Sequence, residues 1–190
     1  LPVFLSADLY PMRRDFPRLN SPLVEAYAAA PSREQLRKVR DATRESGAKF
    51  DLRIMAAHGG TISIDAKELA RTLISGPIGG VIGARYLADR IDSGSARNLV
   101  CTDMGGTSFD VCVIRDGEIP RTTESWEGDQ RIAIKMVDIH TVGAGGGSLA
   151  QMDSLGLLKV GPESAGADPG PACYGRGDQP TVTDADVLLG

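Results

Sequence analysis

The segment Asp103-Met104-Gly105-Gly106-Thr107-Ser108-Phe109-Asp110 leaves this chain little freedom in its local fold. An apolar run, Asn98 to Thr102, precedes it, and an alternating run, Val111 to Ile114, follows. That pattern predicts strand, tight glycine turn, strand. Adjacent glycines let a ligand approach the backbone and its N–H groups with no Cβ in the way. Thr107 and Ser108 add hydroxyl donors, while Asp103 and Asp110 bracket the turn with carboxylates suited to hydrated Mg²⁺. The combination reads as a phosphate-and-metal loop, in which Asp110 is either a base or water-orienting group or a hairpin residue bonding its neighbours. A plainer reading stays open: a Gly-Gly hairpin whose hydroxyls and carboxylates bond their own backbone.

Composition narrows the class. The 190 residues are 42% hydrophobic, and the 23 glycines fall largely in a few clusters, so glycine use is positional. A net charge of -4 with no Lys/Arg block argues against a nucleic-acid partner. No apolar run is long enough for a bilayer, and no membrane association is expected. Cys101, Cys112 and Cys173 are scattered without a C-x-x-C pair, which points to reduced thiols and a cytoplasmic setting. Cys101 and Cys112 fall in predicted strands as small core residues. His58 and His140 show no metal-ligand spacing. The chain opens without Met and stops in mid-pattern at Val187-Leu188-Leu189-Gly190, so it reads as an internal segment of a longer polypeptide.

Along the chain, Pro2 to Ser6 reads as a short strand. Ser21-Pro22 is a cap and first-turn proline for a helix over Leu23 to Ala30, which Pro31 closes. Ser32 to Gln35 is a capping box for a second helix ending at Gly47. Phe50 to Ala56 reads as a buried strand running into His58-Gly59-Gly60, and Arg71 to Ile74 as another. Ile78 to Ile91 is a helix with Gly79, Gly80, Gly83, Ala84 and Ala88 on one smooth face, which predicts close approach of another backbone or an ordinary tight contact. Asp116-Gly117 is a hairpin turn leading into an extended run, Glu118 to Thr123. Arg121 to Gln130, with Trp126 and Gly128, reads as a surface loop, and Ile132 to Val142 as extended.

A second glycine cluster, Gly143-Ala144-Gly145-Gly146-Gly147-Ser148, placed after a strand, reads as a further anion nest. It lacks the lysine of a P-loop and the third glycine of a dinucleotide fingerprint. Gly161 to Gly177 is a glycine- and proline-rich loop, read as structured. Thr181 to Asp186 is a strand end or a helix cap, with Asp184 a candidate for the metal or nucleotide cleft.

Taken in order, Ser75-Gly-Pro-Ile-Gly-Gly-Val-Ile-Gly-Ala84, Asp103 to Asp110, Val142 to Ser148 and Gly170-Pro-Ala-Cys-Tyr-Gly-Arg-Gly177 with Pro180 to Asp184 resemble the hydantoinase A / 5-oxoprolinase family. That family includes the ATP-binding subunits of acetone and acetophenone carboxylases. The resemblance implies an α/β, actin-like ATPase fold of the sugar kinase, heat-shock chaperone and actin type, present here in part. Residues 1–92 would end a first actin-like domain with its connecting helix; residues 93–190 would start the second with its phosphate hairpin. ATP would lie between the two domains, with Gly105, Gly106, Thr107 and Ser108 on its β/γ-phosphates and Asp103 a second-sphere Mg²⁺ holder. Gly143, Gly145, Gly146, Gly147 and Ser148 would line the cleft.

The activity implied is ATP-dependent hydrolysis of a cyclic amide of the hydantoin or 5-oxoproline type. The alternatives are ATP-dependent ketone carboxylation and a non-enzymatic actin-like ATP switch. A hydantoinase B-like second subunit is the implied partner, with a small cyclic amide or ketone as substrate. The family's first phosphate hairpin is absent from this chain, so the segment alone should bind ATP poorly and be inactive. Met55-Ala56-Ala57-His58-Gly59-Gly60 also departs from the Ser-Asn pair that relatives often carry before these glycines. A Rossmann-type binder using Gly143 to Ser148 is a further rival.

Overall fold

The computed structural model describes residues 3–13, 15–91, 97–127 and 129–190. Its elements run α1 (Ser6–Leu9), α2 (Asp15–Glu45), β1 (Arg53–Met55), β2 (Thr61–Ser63), a 3-10 turn (Leu69–Thr72) and α3 (Ser75–Ile91). Then follow β3 (Leu99–Met104), β4 (Phe109–Ile114), β5 (Arg121–Thr122), β6 (Ser125–Glu127), β7 (Gln130–Ile132), β8 (Met136–Val137) and β9 (His140–Val142). β10 (Ser148–Met152), β11 (Leu158–Ser164), a 3-10 turn (Ala172–Tyr174) and α4 (Val182–Leu189) complete a mixed α/β chain. It divides into two compact units, one of Leu1–Arg97 and Arg115–Asp138, the other of Asn98–Ile114 and Ile139–Gly190. The domain boundary expected between residues 92 and 93 lies outside the described residues, as do Pro2 and Gly128.

In the first unit the sequence signals for helix ends are overridden. α2 continues through both Pro22 and Pro31, so neither proline nor the Ser32 box delimits a helix. An interior proline removes one backbone bond and crowds the preceding turn, and side-chain anchors along α2 offset that loss. The buried Ser21 accepts from the Ala133 amide at 3.1 Å, and Arg33 donates to the carbonyls of Ile64 and Ala66 at 3.0 and 2.9 Å. The wholly buried carboxylate of Glu25 accepts from the amides of Leu69 and Ala70 at 3.0 and 2.7 Å. Those bonds hold Leu69–Thr72 as a 3-10 turn where Arg71 to Ile74 predicts a strand.

Other expectations shorten. The chain before Ser6 is not a strand in its described part, and Ser6 itself begins α1. The strand over Phe50 to Ala56 contracts to β1, paired antiparallel with β2, and His58-Gly59-Gly60 turns between them. The loop expected over Arg121 to Gln130 contains β6, which pairs with β7, and Trp126 stands exposed on it. The Asp116-Gly117 turn is as expected, with both residues at positive φ, 53° and 79°. α3 covers the predicted helix, yet nothing lies within 4 Å of a Cβ built at Gly80 or Gly83. A Cβ at Gly79 would meet only Met55 Cε at 3.9 Å, so among the described residues the face makes an ordinary contact and not the close approach of a backbone. The unit's core is Ala56, Ala57, Leu69, Ile78, Ile132, Ile134, Met136 and Val137, all at most 3% exposed.

The second unit carries the glycine motifs. β3, β4 and β9 form an antiparallel sheet in that order, with Leu99 opposite Ile114 and Phe109 opposite Val142. β10 and β11 form a hairpin of their own, and an isolated bridge joins Leu149 to Thr181. The glycine- and proline-rich stretch Gly161 to Gly177 is ordered, as expected, and leads into α4.

Candidate phosphate-binding site

The β3–β4 register places Asp103 directly opposite Asp110, two steps from the turn, so both side chains leave the same face of the sheet. Asp110 accepts a short hydrogen bond from the Thr141 hydroxyl on β9. Asp103 is exposed. The turn closes with the Gly105 amide donating to the Ser108 carbonyl at 2.9 Å. The amides of Gly106 and Thr107 and the hydroxyls of Thr107 and Ser108 have no partner among the described residues. Gly105, Gly106 and Thr107 are exposed, and nothing lies within 4 Å of a Cβ built at Gly106. Uncommitted donors therefore stand at the tip, beside a pair of carboxylates.

The second glycine cluster meets the other edge of the same turn. Gly146 donates its amide to the Gly105 carbonyl at 3.0 Å, and Gly147 donates to Gly106 at 2.7 Å. A Cβ at Gly145 would lie 2.7 Å from the Gly105 oxygen, and one at Gly146 2.6 Å from Thr183 Oγ1. The Gly145 amide donates to the buried Ser148 Oγ at 2.9 Å. Gly145, Gly146 and Gly147 thus commit their amides to protein acceptors, which leaves them no donor for an anion. Gly143 is exposed where the loop begins. The loop runs on into a strand, β10, so the helix N-terminus that a Rossmann-type site needs is missing and that rival falls.

Asp184 is a structural carboxylate. It accepts from the amides of Ala172, Cys173 and Thr181 at 3.2, 2.7 and 2.7 Å, and from the Thr181 hydroxyl at 2.8 Å. With Thr181 it forms the capping box of α4. Desolvation pushes its carboxyl up, but hydrogen bonds from Cys173 and Thr181 outweigh that and hold it well below the usual carboxylate range. The same contact with Asp184 pushes the Cys173 thiol up. The Thr181-x-x-Asp184 spacing was the signal for this cap. Thr141, which binds Asp110, carried no sequence signal, and Thr183, which binds Gly146, was legible only as part of the Thr181 to Asp186 segment.

His58 lies in the other unit, its Nε2 only 2.6 Å from where a Cβ at Gly60 would stand. Among the described residues no group of three or more His, Cys, Asp or Glu could hold a metal. Mg²⁺ needs less, since it keeps several waters and takes one or two carboxylates plus phosphate oxygens. The exposed Asp103 beside free turn donors fits that demand.

The sequence profile of the hydantoinase/oxoprolinase family matches residues 18–190. The chain belongs to that family. Its similarity to the acetone carboxylase beta subunit of Xanthobacter autotrophicus is 46% identity over 193 residues, covering 100% of this chain and 26% of that protein. It is 36% identical to caprolactamase subunit alpha of Pseudomonas jessenii, covering 96% of this chain and 26% of that one. A 5-oxoprolinase of Saccharomyces cerevisiae is also 36% identical, over 99% of this chain and 14% of its own length. Among solved structures, nucleotide-free acetone carboxylase superposes with a TM-score of 0.84 at 46% identity, covering 100% of this chain and 26% of that one. The ATP-dependent caprolactamase superposes with a TM-score of 0.70 at 34% identity, covering 97% and 27%. This family chain therefore spans about a quarter of the carboxylase and caprolactamase subunits it matches. No helix among its described residues is long and apolar enough to cross a membrane.

Proposed function

We propose that this chain is the phosphate-holding part of an ATP-dependent, carbonyl-activating subunit with an actin-like fold. In this reading residues 1–92 end the first actin-like domain and residues 93–190 begin the second. The observation that carries it is the exposed Gly105–Ser108 turn, whose free amides and hydroxyls stand beside the Asp103/Asp110 pair. Such donors suit the oxygens of a transferring phosphoryl group, where positioning and charge stabilisation supply nearly all the catalysis.

Gly106, Thr107 and Ser108 would bind the β/γ-phosphates through their amides and hydroxyls. Asp103 would hold a hydrated Mg²⁺, which neutralises the charge developing on those oxygens. Asp110, its other oxygen engaged by Thr141, would orient a water or accept a proton. The loop from Gly143 to Ser148 would act by propping the turn from behind through Gly146 and Gly147. In the transfer step a substrate oxygen attacks the γ-phosphorus, the bond to the β-phosphate oxygen breaks, and ADP leaves.

Identity favours a ketone as the substrate, since the acetone carboxylase subunit shares 46% of residues against 36% for caprolactamase and oxoprolinase. The enolate oxygen would take the phosphoryl group, and carbon–carbon bond formation with bicarbonate-derived CO₂ would follow. The caprolactamase and 5-oxoprolinase relatives support the second reading, a cyclic amide opened by water once its oxygen carries phosphate. Either activity would need the rest of the polypeptide and a hydantoinase B-like second subunit.

The test uses the full-length protein with that subunit, ATP, Mg²⁺ and either acetone with bicarbonate or a lactam such as 5-oxoproline. Product, ADP and AMP are measured separately. Acetoacetate with nucleotide cleavage supports the carboxylase reading, and an opened amino acid supports the lactam reading. Substrate-independent ATP cleavage alone would favour the non-enzymatic switch and defeat both.

A further inference from the structure

The amides of Gly106 and Thr107, at the tip of the phosphate turn, have no partner among the described residues, yet the peptide units that carry them are held from behind. The C=O and N–H of a trans peptide point in opposite directions. The Gly106 carbonyl shares its peptide unit with the Thr107 amide and accepts from Gly147 at 2.7 Å. The Gly105 carbonyl shares its unit with the Gly106 amide and accepts from Gly146 at 3.0 Å. Both free amides therefore face away from the supporting loop, on the open side of the turn.

The series of bonds runs one step further back. Gly147 donates from the peptide unit whose carbonyl belongs to Gly146. That carbonyl accepts twice from Thr183, from its amide at 2.8 Å and from its hydroxyl at 2.8 Å. Thr183 is the second residue of α4, and the first amides of a helix have no acceptor within the helix. The Thr181/Asp184 capping box fixes this first turn, and Asp184 ties it to the Ala172 and Cys173 amides. Thr183 Oγ1 lies 2.6 Å from where a Cβ at Gly146 would stand, so the contact leaves no room for a side chain there. Hydrogen bonds in series polarise one another, by about 10–30% per bond. Two donors on the Gly146 carbonyl strengthen Gly147 as a donor to Gly106, and that bond in turn strengthens the Thr107 amide.

We propose that Thr183 is a positioning residue for the phosphate turn: acting through two peptide units, its hydroxyl aims the Thr107 amide and makes it a stronger donor to an anionic oxygen. The oxygen it serves belongs to a phosphoryl group, so the proposal rests on the nucleotide reading of the turn. The Thr183 amide would hold Gly146 whatever the side chain; the hydroxyl is the part that a substitution removes.

The test compares Thr183→Val, which keeps the shape and loses the hydroxyl, with Thr183→Ser, which keeps the hydroxyl. Both are made in the full-length protein with its second subunit. Affinity for magnesium pyrophosphate is measured by calorimetry, KM and kcat for ATP by steady-state turnover, and exchange of the Gly147 amide by mass spectrometry. Affinity is read per folded molecule, so a loss of stability alone leaves it unmoved. Thr183→Val should weaken pyrophosphate binding and raise the ATP KM about fivefold, the effect of one hydrogen bond, while Thr183→Ser stays within about twofold of the parent. Gly147 exchange should quicken in the valine variant only. Thr183→Ala gives the same reading should the valine variant fail to fold. Unchanged affinity without the hydroxyl, or an equal loss in Thr183→Ser, overturns the proposal. A parent that binds pyrophosphate but does not cleave ATP defeats the nucleotide reading, and affinity still decides Thr183. A parent that binds neither defeats both.

Discussion

The Gly147 amide donates to the Gly106 carbonyl at 2.7 Å, and a methyl group added at Gly147 would stand 2.8 Å from that same oxygen. The contact leaves room for hydrogen alone. Gly147→Ala should push the supporting loop off the turn and lower ATP turnover of the full-length complex by about a hundredfold, the usual cost of misplacing reacting groups by an ångström. Gly80→Ala is the control, because its Cβ meets nothing within 4 Å and the helix should gain up to about 1 kcal/mol. Equal turnover in the two variants would remove the supporting role.

Asp103→Asn should lower turnover by about 10²- to 10³-fold and raise the Mg²⁺ concentration needed for half-maximal rate. Asp110→Asn should cost less, since the Thr141 hydroxyl can still donate to an amide oxygen at that position. Steady-state rates across a Mg²⁺ titration separate the two. If both variants lost rate equally with no change in metal requirement, Asp103 would not be the metal holder.

Thr181→Ala removes the hydroxyl that caps α4 and should destabilise the full-length protein by about 1 kcal/mol. The charge of Asp184 adds a pH signature. Its folded carboxyl is held low, so the stability it contributes is present above the ordinary carboxylate value of about 4 and is lost as pH falls through the depressed folded value. Asp184→Asn should therefore flatten the acid side of the melting-temperature profile below about pH 4. A profile unchanged in that window would contradict the assignment.

Glu25→Ala leaves the buried amides of Leu69 and Ala70 without an acceptor, at a cost of about 3 kcal/mol. Glu25→Gln keeps one acceptor oxygen and should cost about half as much. Thermal unfolding of the full-length variants reads both. A Glu25→Ala protein as stable as the parent would mean that α2 is held through its prolines by other contacts.

The second unit was more legible in the sequence than the first, and the reason is physical. β3, the Gly105-Gly106 turn and β4 are local, encoded by alternation and by residues that the turn itself demands. The Thr181-x-x-Asp184 cap is equally local, although its carboxylate looked like a cleft residue until its donors were seen. α2 runs through Pro22 and Pro31 because Ser21, Glu25 and Arg33 bond to segments distant in sequence, which no local pattern announces. The Gly145–Gly147 cluster misled for a related reason. Its composition matches an anion nest, but the Gly146 and Gly147 amides meet carbonyls some forty residues earlier in the chain and Gly145 turns to the Ser148 hydroxyl.

The strand of polypeptide enters the second unit at Asn98, returns to the first between Arg115 and Asp138, and leaves again at Ile139. Neither unit can be excised by a single cut. During synthesis the β3–β4 hairpin emerges well before β9 and the supporting glycines that complete its sheet. The turn waits unbraced on the ribosome until those later residues arrive.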